Sequence, residues 1–274
     1  MMLLQRAPRD VLDEFLELYG TVYSFDEQKA RQLIKDATYH HKTEALKDLY
    51  QGQLEKRWYE SLKNDNTETS EPAYDVYDDE YYFACLWVCW HIYSRGYLRT
   101  LLPGSRGSDV FDQMREVKSV VDLGCGISYT TAALTELFPA ARVYGTNLED
   151  TRQFKFGQVM SKKYGFDLVS SIDFIADGAE LVFASEYFEH IHCAIEHLED
   201  VLTHLKPKFL YIANAFNTYS LGHFEWYKHS KNPLLMTHQT KMNRQFNATL
   251  LDGGYQSIQT KNWNQRPVLW EKRT

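Results

Sequence analysis

The sequence contains little cysteine. Cysteine occurs four times in 274 residues, as Cys85, Cys89, Cys125 and Cys193, and no two of these form a CxxC pair. Four thiols with this spacing are too few to cross-link a chain of this length, which argues against the disulfide-rich secreted class. Cys85 and Cys89 lie in an aromatic run, so we expect buried thiols there and a reducing compartment around the protein.

The sequence also lacks a long hydrophobic run. The N-terminal run from Met1 to Leu4 is followed at once by polar and basic residues and is too short for a secretory signal. The longest apolar stretch, Tyr81 to Tyr93, includes His91 and falls short of the ~20 residues that a membrane-spanning helix needs. We therefore expect a soluble, cytoplasmic protein with no membrane partner.

Basic residues are in the minority. The chain has 30 Lys and Arg against 37 Asp and Glu, a net charge of −7, which argues against a nucleic-acid surface along the whole chain. Residues 217–274 reverse this balance, with eight basic residues against three acidic ones. We interpret this region as a mildly basic, solvated surface, and a phosphate-bearing substrate is the alternative interpretation.

A strand, turn, helix and strand pattern lies between Val120 and Glu149. An apolar run that includes Asp122 leads into the turn 124–126, which contains two glycines, and an apolar helical pattern follows. A second strand, Arg142 to Thr146, then ends in a polar cluster. This order is one βαβ unit of a parallel sheet, and such sheets bind ligands at the carboxyl ends of their strands.

The turn lacks the third glycine of a dinucleotide fingerprint, since Ile127 and Ser128 follow Gly126 and no glycine comes directly after them. Asp122, two residues before Gly124, would repel a pyrophosphate but suits a cationic ligand. The sequence 122–126, DLGCG, resembles motif I of the class I S-adenosylmethionine-dependent methyltransferases, whose ligand carries an ammonium and a sulfonium. A glycine turn in another kind of α/β enzyme is the alternative interpretation.

The order of elements after the turn resembles the same class. Glu189-His190 follows the fourth predicted strand, residues 205–207 (LKP) precede the fifth, and two strands near residues 256–263 and 268–271 match the C-terminal hairpin of the class. The resemblance implies an α/β fold with a Rossmann-like, mostly parallel methyltransferase sheet and an antiparallel C-terminal hairpin. We expect this domain at residues 111–274 and a helical N-terminal extension or cap at residues 1–110, with one buried helix near residues 83–102.

The resemblance also implies where S-adenosylmethionine binds. The implied contacts are Asp122, Gly124, Cys125, Gly126, Asn147, Leu148, Glu149, Asp173 and Ser185. Asn147 is a departure, because the class usually ends its second strand with an acid that binds the ribose; Glu149 could replace it. The connection between strands three and four is short, which predicts a shortened or missing helix and leaves Asp173 and Asp177 as alternatives on the adenine side.

Two residues after the fourth predicted strand are candidates for catalysis. His190 titrates near neutrality and is the best candidate for a general base, with Glu189 beside it; packing or hydrogen bonding is the alternative role. The nearby His192, Cys193, His197 and His204 suggest a metal, but the sequence has no HExxH motif and no paired cysteines. We therefore predict no metal site.

Two motifs of the DNA-base methyltransferases are missing, namely an Asn/Asp-Pro-Pro-aromatic motif after strand four and a Pro-Cys nucleophile. The sequence therefore predicts methyl transfer to a small-molecule acceptor. An RNA, DNA or protein methyltransferase that uses the basic C-terminal region is one alternative, and a non-catalytic binding or scaffold protein with the same fold is another. We expect a long aromatic loop at residues 217–232 to shape the acceptor pocket; the oligomeric state stays open.

Overall fold

The computed structural model describes residues 2–22, 26–39, 51–63, 72–105, 108–232, 234–259 and 267–273. Its helices are α1 (Pro8–Val22), α2 (Glu27–Tyr39), α3 (Gln51–Lys63), α4 (Glu80–Cys89), α5 (Arg95–Arg99), α6 (Ser108–Met114), α7 (Tyr129–Leu137), α8 (Arg152–Tyr164), α9 (Ala194–His204) and α10 (Gln239–Asp252). Its strands are β1 (Ser119–Leu123), β2 (Arg142–Thr146), β3 (Asp167–Val169), β4 (Leu181–Ser185), β5 (Phe209–Ala213), β6 (Trp226–Lys228), β7 (Met236–His238), β8 (Tyr255–Gln259) and β9 (Val268–Lys272).

Seven strands form one sheet in the order β3-β2-β1-β4-β5-β9-β8. The first five strands of this order pair in parallel, while β9 pairs antiparallel with both β5 and β8. The predicted fold, a mostly parallel sheet with an antiparallel C-terminal hairpin, is therefore confirmed. The chain direction across the sheet changes between β1 and β4, which is the place where open α/β sheets bind ligands.

Local sequence explains how these elements begin and end. Every residue of β5 is buried, as expected of a central strand that is covered on both faces. Helix α8 begins after Thr151, whose side chain accepts a hydrogen bond from the backbone N–H of Phe154, and it ends at Gly165 in the left-handed region. The short connection from β3 to β4 contains a single 3₁₀ turn, Ile172–Phe174, which confirms the missing helix.

An aromatic cluster joins the N-terminal helices to the sheet. Phe15 of α1 stacks on Phe83 and Trp87 of α4, with ring centroids 5.7 and 5.2 Å apart. Trp87 in turn meets Tyr129 of α7 edge-on at 5.7 Å. These contacts make the buried core continuous across residue 110, while the division of the chain there into two domains stays a prediction.

The predicted buried helix at residues 83–102 is interrupted by a π-helical turn at Trp90–Ser94, between α4 and α5. The wider turn shifts the side chains that follow around the helix axis. Arg95, directly after it, is 2% exposed and donates hydrogen bonds to the backbone carbonyls of Leu4 and Arg6. This buried guanidinium holds the N-terminal segment against the helix.

Two predicted details need correction or qualification. Residues 217–232, expected to be a loop, contain β6, which pairs antiparallel with β7 in a small separate sheet. The strand predicted at residues 256–263 is described only as far as Gln259, and its remaining residues lie outside the described part of the chain. None of the described helices is long and apolar enough to cross a membrane.

Candidate active site

A cavity of about 590 Å³ lies at the carboxyl ends of β1, β4 and β5. One side, which we call the sheet wall, includes Asp122, Gly124, Gly126, Ser185, Glu186 and His190. The opposite side, the helical wall, includes Tyr82, Cys85, Leu86, Cys89, Trp90 and Ser94 from α4 and the π turn. The volume is within the range of small-molecule sites, and the helical wall faces the strand ends across the cavity.

Asp122 lines this cavity from the end of β1 and is 2% exposed. Its carboxylate accepts a hydrogen bond of 2.6 Å from the Thr131 hydroxyl. Burial raises the pKa of Asp122 to about 7, although the Thr131 hydrogen bond opposes the shift. A buried carboxyl group with a single hydroxyl partner is poorly compensated, and a bound cation would stabilise its ionised form.

The glycine turn presents two different surfaces. Gly124 and Gly126 have φ values of 62° and 52°, a region that favours glycine. A Cβ atom on Gly126 would make an ordinary van der Waals contact, 3.7 Å from a side-chain atom of Leu86. Gly124 is covered by the ring of Tyr187, which would lie only 2.3 Å from such a Cβ atom. Both glycines line the cavity, and a side chain in place of Gly124 would in addition collide with Tyr187.

The residues after β2 do not line the cavity. The side-chain amide of Asn147 donates a hydrogen bond of 3.0 Å to the carbonyl of Gly126, and its oxygen accepts one from the Leu148 N–H. Leu148 is 54% exposed, and Glu149 is exposed as well. Asn147 thus stabilises the glycine turn through the carbonyl of Gly126. The ribose contacts implied for Asn147, Leu148 and Glu149 stay predictions.

Asp173 lies in a separate groove of about 480 Å³ between the 3₁₀ turn after β3 and α9. His197 and Asp200 of α9 line the same groove, whereas Asp177 does not. The hydroxyl of Tyr187 is 2.9 Å from Nε2 of His197. Because the Tyr187 ring also covers Gly124, this side chain lies between the groove and the cavity.

Ser185 and Glu186 bring polar groups to the end of β4. The hydroxyl of Ser94, in the π turn, donates a hydrogen bond of 3.3 Å to the Ser185 hydroxyl and so links the two walls. Glu186 has a φ of 53°, a left-handed conformation that is uncommon outside glycine. The sequence places Glu186 after the fourth strand, where a substrate would approach, but it was not among the predicted catalytic or cofactor-binding residues.

Glu186 and Glu189 form a buried carboxyl pair. Burial is the main reason that both pKa values lie well above the usual carboxyl range, and the negative charge of Glu189 raises that of Glu186 further. Glu189 is 0% exposed, and its Oε1 accepts a hydrogen bond from the backbone N–H of Ala215. Glu189 therefore contacts Glu186 behind the wall and does not reach the cavity, so its predicted direct catalytic role is not supported by its position.

His190 does reach the cavity and is held from two sides. Its Nδ1 lies 3.2 Å from the hydroxyl of Tyr77, and its ring meets that of His223 at right angles, with centroids 4.8 Å apart. Burial, followed by the nearby His223, lowers the pKa of His190 well below the usual value. The imidazole is therefore neutral at pH 7, the form that can accept a proton.

Several aromatic and sulfur side chains of the cavity were not assigned to it from the sequence. Tyr81 and Tyr82 both line it. Cys89 is exposed to this space, so its predicted burial is wrong, and Cys85 is half-buried. The π turn that brings Trp90 into the wall has no recognisable sequence signal.

Comparisons with known proteins agree with this architecture. No protein-family model matches the sequence, and no curated protein sequence matches it. The structure is similar to that of mitomycin 7-O-methyltransferase, with a TM-score of 0.52 and 13% sequence identity over 81% of this chain and 68% of that one.

The structure is also similar to human N-acetylserotonin methyltransferase, which was solved in complex with S-adenosylmethionine. The TM-score is 0.51, and the sequences are 16% identical over 86% of this chain and 69% of the human one. Likeness at this level of identity concerns the fold. Together with the strand order, it shows that the chain has the fold of the class I S-adenosylmethionine-dependent methyltransferases.

Proposed function

We propose that the chain is a methyltransferase that binds S-adenosylmethionine and transfers its methyl group to a small-molecule acceptor. The observation that carries this proposal is the cavity of about 590 Å³, which has Asp122 and Gly126 on one side and the helical wall on the other. The similar structures described above, two methyltransferases, support the same interpretation.

The sheet wall would hold the cofactor. Asp122 offers a carboxylate to the ammonium or the sulfonium, and Gly126 lets the ligand approach the backbone. Ser185 lies beside them at the end of β4. A small cavity of this kind aligns the acceptor with the sulfonium methyl group, which is the main requirement of an in-line displacement.

His190 is the proposed general base for an acceptor that must lose a proton. Its neutral imidazole faces the cavity, while Tyr77 and His223 fix the orientation of the ring. Glu189 does not face the cavity, but its negative charge raises the pKa of Glu186, which does. Removal of the base should lower the methyl-transfer rate without weakening cofactor binding.

A specific observation favours a second candidate, a binding protein without turnover. Asn147 is engaged with the glycine turn, and Tyr187 covers Gly124, so two places where the class usually contacts its cofactor are occupied by the chain itself. A nucleic-acid methyltransferase has less support, because none of the described residues that line the cavity is lysine or arginine.

Calorimetric titration of the full chain with S-adenosylhomocysteine tests the proposal. We expect a dissociation constant below about 1 mM, within the usual range for enzyme ligands. Cys89→Trp, which fills the cavity from the helical wall, should abolish binding, and Cys193→Trp, outside the cavity, should not. Failure of the unmodified chain to bind would favour the second candidate.

The acceptor class needs a separate measurement. Radiolabelled S-adenosylmethionine is incubated with the chain and a cell extract, which is then fractionated into small molecules, RNA, DNA and protein. We expect label in the small-molecule fraction. Label in RNA, DNA or protein would contradict that part of the proposal.

A further inference from the structure

The cavity has an unusual charge inventory. Asp122 and Glu186 are its acidic residues, and burial lowers the pKa values of His190 and His223, so both imidazoles are neutral at pH 7. No lysine or arginine occurs among the described lining residues. Aromatic rings make up much of the remaining surface, namely Tyr81, Tyr82, Trp90, Tyr93, Phe183 and Tyr219.

The two acids occupy different parts of the sheet wall. Asp122 lies beneath the glycine turn and is hydrogen-bonded to Thr131. Glu186 follows β4, where its backbone N–H donates to the carbonyl of Ala213. Burial, followed by the negative charge of Glu186, raises the pKa values of Cys89 and Tyr97. One carboxylate near the turn accounts for a cationic cofactor, and Glu186 is left without a function.

Glu186 is also left without a cation. Its Oε1 and the Oε2 of Glu189 are both buried and have no hydrogen-bond donor among the described residues. A shared proton between the two carboxyl groups would satisfy both atoms, and the pair would then carry one negative charge in a poorly solvated place. A positively charged group in the cavity would stabilise that charge, because a buried charge is costly without a partner.

We propose that the methyl acceptor is a basic amine, bound as its ammonium form at Glu186 and enclosed by the aromatic side chains of the cavity. This inference rests on the proposed methyltransferase function and names its substrate class. Aromatic faces attract cations, so the rings favour an ammonium over a neutral or anionic group of the same size. The Glu186–Glu189 pair supplies the negative charge that balances the positive charge of the ammonium.

The transfer can be written with all atoms and charges balanced. For an ammonium acceptor the carboxyl pair takes the place of His190 as the base, so the bound R–NH₃⁺ first gives one proton to the ionised pair, which leaves a lone pair on nitrogen. That lone pair forms a bond to the methyl carbon, the carbon–sulfur bond breaks, and its electrons stay on sulfur. The products are R–NH₂⁺–CH₃, S-adenosylhomocysteine and the proton, which the carboxyl pair releases to solvent.

The test uses matched ligands that differ in charge. The panel contains small aromatic scaffolds, each as an amine, an alcohol and a carboxylate, beginning with phenethylamine, 2-phenylethanol and phenylacetate. Binding to the full chain is measured at pH 7 by ligand-observed NMR and calorimetry, with and without saturating S-adenosylhomocysteine. We expect the amines to bind at least about tenfold more tightly than their alcohols, with the carboxylates weakest.

Glu186→Gln keeps the size of the side chain and removes its charge. This variant should reduce the difference between amine and alcohol to within about twofold, while its affinity for S-adenosylhomocysteine stays within about threefold of the unmodified chain. Glu116→Gln, the same change at an exposed position, is the matched control and should preserve the preference for amines. Thermal unfolding of both variants verifies that they fold.

Several outcomes would overturn the inference. Equal or tighter binding of the alcohols, a preference that survives in Glu186→Gln, or no binding by any member of the panel would each contradict an amine site. Loss of S-adenosylhomocysteine affinity in Glu186→Gln would assign Glu186 to the cofactor. A chain that prefers amines but fails to bind S-adenosylhomocysteine would instead refute the methyltransferase function and keep the amine site.

Discussion

The two walls of the cavity are specified in different ways. The sheet wall depends on backbone geometry at strand ends, with positive φ at Gly124, Gly126 and Glu186. The helical wall comes from α4, which is apolar on all sides, and from a π turn, and its position depends on contacts such as the stacking of Phe15 on Trp87. A local motif can therefore identify the first wall, whereas the second requires knowledge of the whole fold.

The largest expected effect is that of Asp122→Asn on the pH dependence of the free energy of unfolding. Its folded pKa of about 7 lies above the unfolded carboxyl range, so the folded state binds more protons and stability falls as pH rises from about 4 to 7. In the unmodified chain, Asp122 should lower the free energy of unfolding by up to about 4 kcal/mol between these pH values, and Asp122→Asn should abolish this decrease. Chemical denaturation of both proteins at several pH values measures the difference.

The difference between the two denaturation series isolates Asp122, because the other titrating groups are common to both proteins. Glu116→Gln, a carboxyl-to-amide change at an exposed position, serves as the control and should run parallel to the unmodified chain. Parallel curves for Asp122→Asn as well would mean that Asp122 is ionised in the folded protein, and the account of the sheet wall would be wrong.

Glycine substitutions compare the walls directly. Gly124→Ala places a Cβ atom against the Tyr187 ring at a positive φ, and it should destabilise the fold by about 3 kcal/mol. Gly96→Ala, in α5 behind the helical wall, meets nothing within 4 Å and should add about 0.5 kcal/mol of stability. Urea unfolding measures both values.

Gly165→Ala separates the two causes of the Gly124 effect. Its φ is 76°, but nothing lies within 4 Å, so it should lose only about 1 kcal/mol. Equal losses of stability in Gly124→Ala and Gly165→Ala would mean that the Tyr187 ring moves away from the new Cβ atom at no measurable cost.

A small loss of stability is expected at the contact between the walls. Ser94→Ala removes the 3.3 Å hydrogen bond to Ser185 and should cost about 0.5–1 kcal/mol. Ser105→Ala, which removes a hydroxyl bonded within its own turn, is the matched control. Weaker acceptor binding in Ser94→Ala but not in Ser105→Ala would establish that the contact also positions the helical wall; the same change in both would argue against it.

The sequence was sufficient for much of the sheet. The bounds of β2 agree with the predicted strand from Arg142 to Thr146, because an apolar run between turn residues specifies a buried strand. The motif at 122–126 correctly predicted a turn at a ligand-sized cavity, since glycine and a strand-end acid have few other uses there.

The remaining features depend on tertiary contacts. The π turn at Trp90–Ser94 and the position of Cys89 follow from how α4 packs, which an all-apolar helix leaves undetermined. The engagement of Asn147 with Gly126 could not be inferred either, because an amide at a strand end can turn toward a ligand or back toward the chain. The left-handed backbone of Glu186 could not be predicted from the sequence, because this conformation is uncommon outside glycine.

Tyr187 has a kinetic consequence. Its phenol ring covers Gly124, and its hydroxyl is hydrogen-bonded to His197 at the edge of the groove that contains Asp173. A molecule that extends from Gly124 toward Asp173 on the side that this ring covers would rotate the ring aside and break its hydrogen bond to His197. The association rate of such a molecule would then saturate at high concentration, at the speed with which one tyrosine changes rotamer.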